Sequence, residues 1–226
     1  MVYMRCVNMV RLANDFQFSK IESLFSVLHM HTNIMSMYMA MTSSKPLNVV
    51  RSFYSVAQNF VDRPLVICDI DHTLFRCSKP LHHYTEFLQK LYSERYRFPV
   101  NVEEEALNLM HRAYCDGFIQ QTDPAGFRHM VERIEELGGR IVFLTARNIY
   151  SHARTLEDFR KVGFEHPETF DIHYTNNVIT KGDYIKCMQL DSGFDHVYFI
   201  DDQHGYLESV QRECPHIHCF QFQYKY

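Results

Sequence analysis

The 226-residue chain has no tryptophan, and only 8 glycines and 7 prolines interrupt it. So few breakers exclude collagen-like and low-complexity architectures. No run reaches the roughly 18 uninterrupted apolar residues that a membrane-spanning helix needs. The nearest approach, residues 21–41, is broken by Glu22, His29, His31 and Asn33. The opening residues lack the charged, apolar and small-residue succession of a secretory signal. Neither charge sign dominates: 23 Lys and Arg face 27 Asp and Glu, a formal net charge of -4. That balance leaves no electrostatic footprint for nucleic acid or an anionic membrane. Seven cysteines is an odd number, without the spacing of a small disulfide scaffold. The expectation is an intracellular, cytoplasmic protein with reduced thiols, with membrane association through an amphipathic leader as the minor alternative.

Hydrophobic residues make up 46% and charged residues 22%, a balance that supports a packed core rather than disorder. The length allows one sizeable domain, or a core with a small insert. Residues 1–45 form a Met-rich leader in which Met35, Met37, Met39 and Met41 alternate, ending in a linker-like stretch at Thr42 to Pro46. Alternating thioethers suit adaptable packing better than a soft-metal site. Apolar spacing at Val50, Phe53, Tyr54 and Ala57 predicts a helix within residues 47–60. Short apolar runs predict strands at residues 64–68, 140–144, 171–174, 197–200 and 216–222. Helical spacing falls between them at 151–161, 181–190 and 203–212. It also fills 81–96, 102–114 and the stretch from Asp123-Pro124, a cap and a first-turn proline, to Gly138-Gly139. Strands alternating with helices predict an α/β fold with a doubly wound, mainly parallel sheet.

Asp69-Ile70-Asp71-His72-Thr73-Leu74 directly follows the first of these strands. Open α/β sheets place their chemistry at the carboxyl ends of strands. Two carboxylates there lose solvation unless a cation or a reaction uses them, so the pattern asks for a divalent metal and a nucleophile. Thr145-Ala146-Arg147 follows the strand at 140–144, Lys181-Gly182 opens a helix, and Asp201-Asp202 follows the strand at 197–200. Crossover connections would gather all of them at one sheet edge. Taken singly, each has a plainer reading. Asp71 and the Asp201-Asp202 pair suit turns, and Thr145 suits a helix cap. Lys181 alone is a surface lysine, with Lys186 as its rival one turn later.

In order and context, these four segments resemble the four motifs of the haloacid dehalogenase (HAD) superfamily, over about residues 60–212. The DxDxT form with Thr73 resembles its phosphotransferase branch. Tyr174-Thr175-Asn176-Asn177, Lys181-Gly182-Asp183 and Phe199-Ile200-Asp201-Asp202 further resemble the DUF2608 group, itself similar to class C acid phosphatases. The resemblance implies a Rossmann-like core at residues 46–77 and 139–226, with a small helical cap inserted at 78–138. It implies Mg²⁺-dependent hydrolysis of a phosphomonoester through an aspartyl-phosphate on Asp69. Asp71 would be the general acid and base, with its backbone carbonyl on the metal. Thr145 would donate to a phosphoryl oxygen, and Lys181 would neutralise charge on the nucleophile and the transferring group. Asp202 would complete the Mg²⁺ site, with Asp201 either a second ligand or its support. Arg147 would contact substrate phosphate or make a structural salt bridge. His72 would shape the pocket without acting as a base. The implied partner is a phosphorylated substrate, of small-molecule size because a cap covers the cleft. The oligomeric state is left open.

Three other readings compete. A phosphatase of the C-terminal-domain type shares DxDxT but usually lacks a large insert at this point. A binding scaffold that keeps the fold without catalysis is expected to have lost the nucleophile or the lysine. Cys214-Pro215-His216-Ile217-His218-Cys219 holds zinc-type ligands without a second spaced pair, so a terminal strand with His216 and His218 on one face is expected instead. In the insert, His82, His83, Tyr84, Arg95, Arg97 and Arg112 fit substrate contact and a solvated helical face equally well.

Overall fold

The computed structural model describes residues 47–95 and 101–224. The leader, with its alternating methionines, and Arg97 lie outside the described residues. In chain order the elements are β1 (Asn48–Val50), α1 (Phe53–Ala57), β2 (Leu65–Cys68), β3 (Phe75–Cys77), α2 (Leu81–Arg95), α3 (Val102–Cys115), β4 (Ile119–Gln121), α4 (Pro124–Glu136), β5 (Arg140–Thr145), α5 (His152–Lys161), β6 (Ile172–Tyr174), α6 (Lys181–Met188), β7 (Val197–Asp201), α7 (His204–Glu213) and β8 (His218–Phe222). One six-stranded sheet runs β1-β8-β7-β2-β5-β6 with every pair parallel. The alternating strands and helices thus form the expected α/β fold with a doubly wound parallel sheet.

Side-chain alternation divides the core into two layers. Leu65 and Ile67 of β2 share one face with Val142, Leu144, Val197 and Phe199, covered by Ile185 of α6 and Leu207 and Val210 of α7. Val66 and Cys68 face the other way, with Phe143, Tyr198, Ile200, Phe220 and Phe222, covered by residues of α1, α4 and α5. This is why β2 and β7 read as unbroken apolar runs: both faces are buried. The second layer is aromatic. Phe159 packs edge-on to Phe75, Phe143, Phe164 and Phe170, with ring centroids 4.9 to 5.3 Å apart.

Several sequence expectations change. The helix expected within residues 47–60 is only five residues long, because Asn48–Val50 is drawn into an edge strand on β8. Ser52 then starts α1, its side chain accepting from the Tyr54 amide. The stretch 78–138 is not wholly helical, since β4 pairs antiparallel with β3. Ile119-Gln120-Gln121 has no strand-like alternation; its partner strand supplies the order. Thr122 ties the ribbon down, its hydroxyl donating to the Thr73 carbonyl at 2.6 Å. The third helix of that stretch, α4, packs in the core through Phe127, Met130 and Ile134. Asp123 accepts from the Gly126 amide on one oxygen and from Ser52 and the Phe53 amide on the other, so it joins α4 to α1. Finally, β8 begins at His218, so His216 lies before the strand and shares no strand face with it. His216 pairs instead with Asp191 at 2.7 Å. No helix among the described residues is long and apolar enough to cross a membrane.

Replacing Phe159 with alanine should cost about 3–5 kcal/mol, because its neighbours are held by separate elements and cannot collapse into the void. Urea unfolding measures this, and a loss below about 1 kcal/mol would contradict the packing account.

Candidate active site

Strand order reverses at β2, which has β5 on one side and β7 on the other. The register pairs Cys68 with Phe143 and with Ile200, so the three strands end level. Continuing by one or two residues sets Asp69 beside Asp201, and Thr145 close by. This is the crevice that open α/β sheets use for binding.

Lys181 reaches the crevice from α6. Thr180 caps that helix by accepting from the Asp183 amide. Gly182 lets α6 press on α7: a β-carbon there would lie 2.2 Å from the Ser209 carbonyl oxygen. The Gly182 amide donates to Ser209 Oγ at 3.1 Å. The Lys181 side chain is 0% exposed. Its ammonium donates to Asp69 Oδ1 and, at 2.7 Å, to Asp201 Oδ2. It also lies 4.8 Å from the Tyr206 ring centroid. The rival lysine, Lys186, is on the surface with Glu213.

Asp69, Asp201 and Asp202 offer carboxylate oxygens within 4.8 Å of one another, a group that could hold a metal ion. Their roles separate by their hydrogen bonds. Asp201 is spent on Lys181 and on the Gln203 amide at 2.8 Å. Asp202 Oδ1 is buried and has no hydrogen-bond partner among the described residues. Three carboxylates around one ammonium leave negative charge uncompensated. An all-oxygen set with an orphaned oxygen fits a hard divalent cation such as Mg²⁺. The same deficit appears in the acidities. Burial, with the charge of Asp201 and Asp71, pushes Asp69 up to about 7 against the pull of Lys181. Burial and Asp69 push Asp202 up to about 7. Burial works against the Lys181 charge, but Asp69 and Asp201 outweigh it and hold its pKa above the ordinary lysine range.

Asp71 is held differently. Arg147 grips it from Nε and from Nη2, the latter at 2.8 Å from Oδ1. Thr145 Oγ1 donates to Oδ2 at 3.2 Å, and Tyr114 Oη donates to Oδ1 at 2.6 Å. Burial would raise the Asp71 pKa, but Arg147, helped by the two hydroxyls, holds it below the usual carboxylate range. Arg147 also binds Asp158 at 2.9 Å and Thr155 at 3.1 Å. His72 has φ of +64° and stacks on Tyr114, with centroids 5.0 Å apart. A cavity of about 390 Å³ opens here, lined by Asp71, His72, His111, Tyr114, Arg147 and Gln203 among others.

The sequence-predicted residues thus gather in two adjoining groups. Asp69, Lys181, Asp201 and Asp202 form one, and Asp71, Thr145 and Arg147 the other. Sequence reasoning missed Tyr114, Asp158 and Gln203. The first two sit on helix faces and carry no motif, and Gln203 acts through its backbone amide. Cys214 and Cys219 are buried thiols, and no metal-suited cluster includes them among the described residues.

The chain belongs to the family described as "Protein of unknown function (DUF2608)", whose sequence pattern matches residues 48–188. None of the curated proteins matches it. Among solved structures it is similar to the class C acid phosphatase from Bacillus anthracis, at 13% identity and TM-score 0.40, covering 74% of this chain and 69% of that one. It is similar to a HAD family enzyme from Bacteroides thetaiotaomicron in complex with magnesium and inorganic phosphate, at 14% identity and TM-score 0.44, over 74% and 96% of the two chains. It is likewise similar to a haloacid dehalogenase-like family hydrolase from Xanthomonas campestris, at 12% identity and TM-score 0.42, over 75% and 84%.

Two outcomes are expected. Gly182→Ala should push α6 off α7, lower the unfolding temperature and displace Lys181; an unchanged unfolding temperature would contradict the close approach. The second concerns pH. A folded Asp202 near 7, against about 3.9 when unfolded, means the metal-free fold keeps a proton that the unfolded chain has lost between those values. That contribution to stability is full below about pH 4 and lost as pH rises through about 7. With a chelator present, wild type should therefore lose stability relative to Asp202→Asn as pH rises from 4 to 7.5, and parallel unfolding curves would refute it.

Proposed function

We propose that this protein is a Mg²⁺-dependent phosphomonoester hydrolase that works through an aspartyl-phosphate on Asp69. The observation that carries the reading is the buried Lys181 ammonium shared by Asp69 and Asp201, beside a third carboxylate with an oxygen that has no partner among the described residues. Structural ion pairs have no need of that surplus negative charge; a phosphoryl-transfer site with a cation does.

The residues divide the work. Asp69 Oδ2, free of hydrogen bonds among the described residues, attacks phosphorus as the bond to the leaving oxygen breaks. Lys181 favours the ionised form of Asp69 and offsets charge on the transferring group. Asp71 gives a proton to the leaving oxygen. In the second half it takes a proton from water, whose oxygen attacks phosphorus and frees Asp69 and inorganic phosphate. At rest Asp71 is ionised, so it must gain a proton before the first half, and an arriving phosphate dianion raises its pKa in that direction. Thr145 turns its hydroxyl from Asp71 to a phosphoryl oxygen. Mg²⁺ would be held by Asp69, Asp202 and the Asp71 carbonyl, with Asp201 as support, and would neutralise charge on the phosphate oxygens. We assign α2, α3 and the β3–β4 ribbon to a cap. The cavity beside Asp71 suits the leaving group of a small molecule better than a phosphoprotein tail. The retained nucleophile and lysine weigh against a scaffold.

Purified full-length protein should hydrolyse 4-nitrophenyl phosphate with Mg²⁺ and stop when the metal is chelated. Asp69→Asn should lower kcat by about 10³-fold or more, and Lys181→Met by about 10²-fold. Equal turnover by wild type and Asp69→Asn would sink the mechanism.

A further inference from the structure

Asp71 receives its hydrogen bonds from two sides. Arg147 and Thr145 both come from the end of β5 and the loop after it, a single unit of the core. Tyr114 alone comes from the inserted helix α3. Arg147 is also bound to Asp158, so its pull on Asp71 is directed along that pair. The Tyr114 hydroxyl holds the carboxylate from the opposite element.

The contact belongs to a closed circuit. Tyr114 donates to Asp71, which binds Arg147, which binds Asp158. Asp158 accepts from Arg154 Nε at 2.9 Å, and Arg154 Nη2 donates at 2.9 Å to the carbonyl of Cys115, the residue after Tyr114. The circuit leaves α3 through a side chain and returns to it through the backbone. Gly117, at φ +83°, leaves room for the return: a β-carbon there would lie 2.6 Å from Arg154 Nη2. Apolar packing places Tyr114 in the core, where it is 8% exposed. Packing alone does not require a phenol oxygen 2.6 Å from Asp71, a carboxylate that lines the cavity.

We propose that Tyr114 is a positioning residue for Asp71, and that the circuit through Arg147, Asp158 and Arg154 makes the acid–base orientation depend on docking of α3. The inference rests on the phosphatase reading for its chemistry, although the circuit itself does not. An alkoxide leaving group needs a proton from Asp71, whereas 4-nitrophenolate leaves well without one. A misaimed Asp71 therefore slows alkyl esters selectively.

The test compares glycerol 2-phosphate with 4-nitrophenyl phosphate, using wild type, Asp71→Asn, Tyr114→Phe and Arg154→Gln at saturating Mg²⁺. Tyr114→Phe should lower kcat for the alkyl ester about tenfold or more and for the aryl ester less than about threefold. Arg154→Gln, at a residue that lines the cavity but bonds Asp158 and the Cys115 carbonyl rather than Asp71, should show the same bias. Equal losses on both esters would mark a merely structural tyrosine and overturn the proposal. If Asp71→Asn itself shows no bias, the acid–base assignment falls and the positioning role falls with it. Hydrogen exchange separates the two failures. Amides of α3 should exchange faster in Tyr114→Phe and in Asp71→Asn, whether or not the chain turns over phosphate. Unchanged exchange in both variants would overturn the circuit while leaving the phosphatase reading standing.

Discussion

The arrangement of the site depends on one ammonium with no contact to solvent. Lys181 stands between Asp69, at the end of β2, and Asp201, at the end of β7. A buried lysine is unfavourable without anionic partners, and two neighbouring buried aspartates are unfavourable without a cation. Each therefore fixes the others. The level ends of the central strands, the close approach of α6 to α7 at Gly182 and the cap at Thr180 all serve to deliver that side chain. The pair still does not balance, because Asp202 adds a third carboxylate. The remaining deficit is the physical reason these three carboxylates could hold a metal ion.

A second, separate network orients Asp71. Its members come from β5, α5 and the inserted α3, and Arg147 joins two carboxylates within it. The two groups bear opposite electrostatics. Asp69 and Asp202 are pushed up by burial and by neighbouring carboxylates, whereas Asp71 is held down by a guanidinium. Carboxylates two residues apart are thus placed in unlike environments, as the proposed division into nucleophile and acid–base would require.

Much of this was legible in the chain. Unbroken apolar runs at β2, β5 and β7 announced strands covered on both faces, and the polar residues after them marked the crevice. Asp123-Pro124 announced the start of α4. Patterns that depend on a partner were not legible. Asn48–Val50 is a strand only because β8 offers an edge, and Ile119–Gln121 only because β3 does. The packing of α4 on the core through Phe127, Met130 and Ile134 was not legible either, because local spacing shows an apolar face without showing what it packs on.

The sequence by itself determined which chemical groups exist and in what order: two aspartates after a strand, a threonine after another, a lysine at a helix start and an acidic pair after a third. Their spacing along the chain follows from covalent connection and strand periodicity, which are local. Only the tertiary structure decided how they share charge. It gave Lys181 to both Asp69 and Asp201, left Asp202 with an oxygen unpaired among the described residues, and turned Arg147 onto Asp71. It also brought Tyr114, 43 residues away in the chain, within hydrogen-bond distance of Asp71. Such pairings are set by strand register, helix docking and the cost of burying unpaired charge, all of which arise between segments far apart in the chain.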